Sequence, residues 1–160
     1  MIIQPPTRAT HSYVQHLVAS PDRVFPLLCP VREADWIEGW DPLQVTSATG
    51  VAERDCVFVT AAEPADAIWY ITRHEADAGF VEMLKVTPGV TACRLSIQLQ
   101  ATPQGCDATV TYLHTSLGTP AGDAFVAAFS AEYYRQFMRD WEDRLNHYLA
   151  HGVARPGERG

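Results

Sequence analysis

Two hydrophobic rhythms divide the chain. From Leu43 to Thr115 apolar and polar residues alternate, with turn signals at short intervals. Strands are expected at 43–49, 55–61, 67–75, 79–87, 91–101 and 106–116. They are separated by segments such as Glu63-Pro64, Asp77-Ala78-Gly79, Thr87-Pro88-Gly89 and Pro103-Gln104-Gly105. Connections this short cannot make parallel crossovers, so the strands should form an antiparallel meander. The clearest alternation is ACRLSIQLQ, which turns Leu95, Ile97 and Leu99 inward and Arg94, Ser96, Gln98 and Gln100 outward. Upstream, His11 to Ala19 alternates as a further strand. Ser20-Pro21-Asp22 then starts a short helix, Pro21 to Leu28, and a compact segment follows with Trp36 and Trp40 one helical turn apart.

After Pro120 the rhythm becomes helical. Phe125, Phe129, Tyr133, Phe137, Trp141, Leu145 and Leu149 recur every fourth residue, which predicts one helix from Pro120 to His151. Thr119 suits its N-cap, Pro120 its first position and Asp123 its first turn; Gly152 suits the C′ position. On a wheel centred on Phe137 the buried arc collects Val126, Ser130, Tyr133, Tyr134, Trp141 and Tyr148. The opposite face carries Glu132, Arg135, Arg139, Glu142, Asp143 and Asn146. A sheet with one apolar face needs a cover, and this helix is the only element long enough. The expected fold is therefore α+β: a seven-stranded antiparallel sheet curled around a long C-terminal helix, with two short helices between strands 1 and 2. One domain is expected over residues 11–151, with an extended lead-in at 1–10 and a flexible tail at 152–160.

Composition narrows the partners. The chain has 160 residues, 47% hydrophobic and 19% charged, with a formal net charge of -7. That balance fits a globular protein and argues against nucleic acid or an anionic membrane as partner. No run reaches the length of a membrane span, and the first residues lack the apolar core of a signal peptide, so membrane insertion is not expected and a cytoplasmic location is. Cys29, Cys56, Cys93 and Cys106 are scattered without C-x-x-C spacing and read as reduced, buried thiols. His147 and His151 have helical metal-ligand spacing but no third ligand nearby in sequence, so neither a metal nor another cofactor is expected. Nucleophile-elbow, zincin, P-loop and dinucleotide patterns are absent.

The element order, together with A-S-P-D-R-V-F at Ala19 to Phe25 and the long C-terminal helix, resembles the START/Bet v 1-like superfamily (SRPBCC, or helix-grip). Within it the chain looks like the bacterial polyketide cyclase/dehydratase-like or lipid-transport-like members. The resemblance implies a cavity between concave sheet and helix that takes apolar small molecules.

The residues add detail to that cavity. On strand 106–116, Ala108, Val110, Tyr112 and His114 share a side, and Val110 marks it as inner. Tyr112 and His114 are then candidates for hydrogen bonding to a ligand or for acid–base catalysis, or else satisfied core residues. Strand 67–75 is ambiguous: with Trp69 and Ile71 inward, Arg73 would follow them and could bind an anionic ligand group, the alternative being a salt-bridged edge arginine. Strand 79–87 is equally ambiguous. Trp69, Met83 and Leu95 are taken as lining. Trp36 and Trp40 either seal the core or form the mouth. From the helix, Val126, Ser130, Tyr133 and Tyr134 complete the candidate ligand contacts. The expected function is binding of an apolar or aromatic small molecule. One alternative is a cyclase or dehydratase-like enzyme using His114 and Tyr112. Another is a protein-interaction module, which would demand an exposed apolar patch on the outer face of the sheet and would be favoured by a collapsed cavity; the outward residues Arg94, Ser96, Gln98 and Gln100 are polar and count against it.

Overall fold

A computed structural model describes residues 1–157. Seven strands form one sheet: β1 (Arg8–Leu17), β2 (Gln44–Thr46), β3 (Val57–Thr60), β4 (Ala67–Glu75), β5 (Phe80–Thr87), β6 (Thr91–Thr102) and β7 (Gly105–Ser116). Their order is β1-β7-β6-β5-β4-β3-β2, and every pair is antiparallel. The meander is as the turn spacing predicts, and β1 returns to pair with β7. Between β1 and β2 lie the helix α1 (Pro21–Val24) and two 3₁₀ turns, Phe25–Leu27 and Arg32–Asp35. Ser20 and Pro21 occupy the N-cap and first position of α1. Among the described residues no helix is long and apolar enough to cross a membrane.

The single terminal helix expected from Pro120 to His151 is two: α2 (Pro120–Ala128) and α3 (Ala131–His151). Phe129 leaves helical geometry at ψ 60°, and Ser130 becomes the N-cap of α3, accepting a hydrogen bond from the Tyr133 N–H at 3.1 Å. Serine followed by an acidic first turn is a helix start, and here it overrides the continuous apolar ladder. His11 Nε2 donates to the Phe129 carbonyl at 2.7 Å, so the carbonyl freed by the break is satisfied. Ser130 is accordingly a capping residue, not a group facing a ligand.

The core-facing stripe of α3 is also rotated. Tyr134, Met138, Leu145 and Leu149 are the buried residues, centred about a quarter turn from Phe137. The face expected to be fully solvated is partly used. Glu142 accepts from the His16 backbone N–H and the Tyr13 hydroxyl, and Asn146 bonds both the Val18 N–H and the His16 carbonyl. Buried Gln15 donates to the Met138 carbonyl at 3.1 Å. These bonds clamp α3 along β1, and the rotation leaves Phe137 at the margin of the core and Tyr133 exposed.

Inward phase follows the alternation on β6 and β7, where Leu95, Ile97, Leu99, Ala108, Val110, Tyr112 and His114 are all buried. On β4 a bulge between Ile71 and Arg73 resets it. Trp69 and Ile71 face in, but Arg73 does not follow them. It faces outward, paired with Glu75 at 2.9 Å and lying 4.4 Å over the Phe80 ring. Arg73 therefore does not reach the concave face, where its ligand-binding role was expected, and matches the alternative of a salt-bridged arginine. The outer face is polar on β6, as expected, but not on β4 and β5. There Ile68, Tyr70, Leu84 and Val86 are exposed in register, Ile68 opposite Val86 and Tyr70 opposite Leu84.

Candidate functional site

The concave face of the sheet does not pack solidly against the helices. A cavity of about 720 Å³ remains, walled by the inner faces of β3–β7, the 3₁₀ segment, and the α2–α3 joint. Strand register explains its floor. Phe58, Trp69, Lys85, Cys93 and His114 are successive cross-strand partners from β3 to β7, one row of inward side chains. Ile71, Met83, Leu95 and Tyr112 form the next row. Phe129 and Phe137 oppose these rows from the helices, their ring centroids 5.9 and 6.0 Å from that of Tyr112.

Of the residues proposed from sequence, Trp40, Trp69, Met83, Leu95, Tyr112, His114 and Tyr133 line this cavity. The two tryptophans of the connecting segment divide the two readings offered for them. Trp36 has no exposure, donates to the Leu27 carbonyl at 3.1 Å and packs 5.5 Å from Trp141: it seals the core. Trp40 is half-buried, donates to the Pro30 carbonyl at 2.7 Å and stands in the cavity wall. Three further candidates lie elsewhere. Val126 is buried off the wall, Ser130 caps α3, and the Tyr134 hydroxyl is spent on the Val110 carbonyl. Tyr133, 56% exposed, marks the mouth together with Phe125 and the Arg144–Asp140 ion pair at 2.8 Å.

The polar groups inside are few and unspent. His114 is 2% exposed, and its Nδ1 is the one buried side-chain nitrogen or oxygen without a hydrogen-bond partner among the described residues. Burial, with the nearby Lys85 and His11 charges, lowers its pKa to about 4, so the ring is neutral at physiological pH. The satisfied-core reading of His114 therefore lacks the partner it requires. The Tyr112 hydroxyl makes no hydrogen bond among the described residues, and burial pushes its pKa well up. Below the bulge, His74 turns inward instead and packs 4.9 Å from Phe25, outside the cavity wall.

Two wall residues escaped the sequence reading. Glu33, in the second 3₁₀ turn, is raised to about 8 by burial and is therefore mostly a neutral carboxylic acid at physiological pH. Nothing in its local sequence signals that, because the connecting segment has no period. Lys85 projects from β5 with its Nζ 4.8 Å over the Trp69 ring, and burial lowers its pKa. It is the only lysine among the twelve basic residues of the chain, which could have singled it out. The chemistry available is thus a largely apolar box with one cation on its floor, Lys85, and three uncharged hydrogen-bonding groups, Glu33, Tyr112 and His114, the Arg144–Asp140 pair standing at the mouth. Among the described residues no cluster of histidine, cysteine and carboxylate groups is arranged to hold a metal.

No protein-family model matches the chain, and no curated protein does. Solved structures do. A protein from Rhodobacter sphaeroides aligns at 15% identity over 88% of this chain and 91% of its own, with a TM-score of 0.63. Norcoclaurine synthase from Thalictrum flavum, in complex with dopamine and hydroxybenzaldehyde, aligns at 11% identity over 94% and 96%, with a TM-score of 0.65. Ara h 8.0201 aligns at 10% identity over 90% and 99%, with a TM-score of 0.61. Identities this low speak to architecture alone. The sheet order, the gripping terminal helices and these likenesses agree that the chain has the Bet v 1-like helix-grip fold.

Proposed function

We propose that the protein binds an apolar or aromatic small molecule in the cavity between the sheet and α2–α3. The carrying observation is the cavity itself. Its 720 Å³ falls within the range of ligand pockets, roughly 300–1,000 Å³, and its wall is mostly apolar and aromatic with a few convergent polar groups. A ring system fits between Trp69, Met83 and Leu95 on one side and Phe129 and Phe137 on the other, where offset or edge contacts are available. The structurally similar norcoclaurine synthase holds two aromatic compounds, which supports an aromatic occupant here. The interaction reading gains the outer patch it demanded, at Ile68, Tyr70, Leu84 and Val86, but a collapsed cavity would have favoured it and the cavity is open.

The test uses the neutral fluorophore N-phenyl-1-naphthylamine. Its emission should rise on binding to the protein and stay flat with Met83→Trp, which fills the floor of the cavity. Circular dichroism checks that the variant folds. Equal enhancement by a folded Met83→Trp protein would refute cavity binding.

An enzyme of the cyclase or dehydratase type is the alternative, and one observation favours it. Two cavity groups are pushed in opposite directions, Glu33 towards holding its proton and His114 towards losing it. Such opposed shifts are how acid and base roles are divided in active sites. In this version Glu33, not Tyr112, is the proton donor, because a phenol pushed upward gives up its proton too reluctantly.

A further inference from the structure

The protein carries a formal net charge of -7, and its one lysine points into an apolar cavity. Lys85 is half-buried, and an ammonium held against an apolar wall and partly stripped of water is stabilised by an opposite charge nearby. Lys85 has none: it forms no ion pair with any carboxylate among the described residues. Its recorded partner is the face of Trp69, a partial substitute at 4.8 Å.

The other acids on the wall do not supply the missing charge. Asp140 is engaged by Arg144 at 2.8 Å, and Glu38 accepts from the Gly157 backbone N–H at the exposed side of its segment. Glu33 stays protonated because burial opposes its ionisation. The neutral groups near Lys85 on the same face, the Tyr112 hydroxyl and the His114 ring, offer hydrogen bonds but no charge. Lys85 is thus the charged group on the cavity floor that has no carboxylate partner among the described residues.

We infer that the cavity selects ligands carrying a carboxylate, with Lys85 pairing that head group while the apolar body lies over Met83 and Leu95. This rests on the small-molecule reading above and specifies its ligand class. A single ammonium matches a monoanion, whereas phosphate groups are characteristically met by several donors or by the arginine fork. The site is pre-formed, because Trp69 Nε1 donates to Thr60 Oγ1 at 3.0 Å and so fixes the ring that underlies the ammonium. A neutral ligand of the same shape would fill the same volume yet leave the charge unpaired.

Two probes that share one ring system test this by isothermal titration calorimetry at neutral pH: 2-naphthoate and its uncharged methyl ester. The acid should bind the wild-type protein at least about tenfold more tightly than the ester, as expected for one charge-assisted hydrogen bond in a partly desolvated site. In Lys85→Met, which keeps the length of the side chain without its charge, the acid should weaken by about tenfold or more. The ester should change by less than about twofold. Equal binding of acid and ester to the wild-type protein would overturn the inference whether or not the variant folds, and so would an acid preference that survives in Lys85→Met. Binding of the ester without the acid would sink this inference and leave the small-molecule reading standing. If neither probe nor the neutral fluorophore binds, both fall together.

Discussion

Removing the Glu33 carboxyl should change how stability depends on pH, by an amount the site itself sets. In the folded protein this group titrates near 8 against an ordinary value of 4.5, and burial is the cause. Between those values the folded state holds a proton that the unfolded chain has released. Unfolding free energy therefore falls as pH rises through the window, by about 1.4 kcal/mol per pH unit from this group. Across the whole window the loss reaches about 5 kcal/mol, and water in the cavity would solvate the carboxylate and reduce it towards about 2 kcal/mol. His114 works in the opposite sense. Its contribution is present above 6.5 and is lost as pH falls through about 4, so it is silent on the alkaline side. Urea unfolding followed by tryptophan fluorescence is compared from pH 6.5 to 8 in the wild-type and Glu33→Gln proteins, so that the contribution of His16, whose pKa its Asp107 partner raises, cancels in the difference. Glu33→Gln should unfold with a shallower pH dependence than the wild-type protein and should be the more stable of the two at the upper end. Parallel stability curves for the two proteins would refute the neutral, buried carboxyl.

The α2–α3 break gives a second test. Ser130→Ala removes the acceptor for the Tyr133 N–H and should cost about 1 kcal/mol in urea unfolding, whereas a Ser130 facing a ligand would instead alter probe binding. For the enzyme alternative, the acidic limb in the pH profile of His114 and the basic limb near 8 assigned to Glu33 make a bell-shaped rate. Once a polyketide-type substrate is turned over, Glu33→Gln should abolish the basic limb; an unaltered profile would dismiss Glu33 as the proton donor.

The sheet was largely legible because a half-buried strand writes its pairing and its phase in a two-residue period. β6 and β7 show this: their inward residues, Tyr112 and His114 included, follow directly from alternation. β4 reads correctly to Ile71 and then fails, since one extra residue at the bulge moves Arg73 to the opposite face without any mark in composition. The terminal helices failed differently. The four-residue ladder is real, but it measures apolar residues, and two destinations compete for them: the core takes Tyr134, Met138 and Leu145, while the cavity takes Tyr133 and Phe137. Only the position of β1 decides between these, through bonds from Glu142, Asn146 and the Met138 carbonyl that join residues more than a hundred positions apart. Glu33 was illegible for a related reason, as its environment is assembled from β7, α3 and its own turn. The serine that ends α2 was visible all along and was outvoted by the apolar period.

The break at Phe129 and Ser130 has a mechanical consequence. α3 is bolted to β1, and α2 is fixed at the other end of the structure through Thr119, which donates to the Gly89 carbonyl, and Asp123, which accepts from Ser116. Between these anchors the cavity wall passes through a joint with no continuous i→i−4 ladder to deform. The joint is itself held: the Phe129 carbonyl is bonded to His11 of β1, and the buried Phe129 ring packs against Tyr112, His114 and Tyr134. The wall therefore changes direction at Phe129, and the side chain at that turn is part of the cavity lining, so the break shapes the cavity as well as the helices.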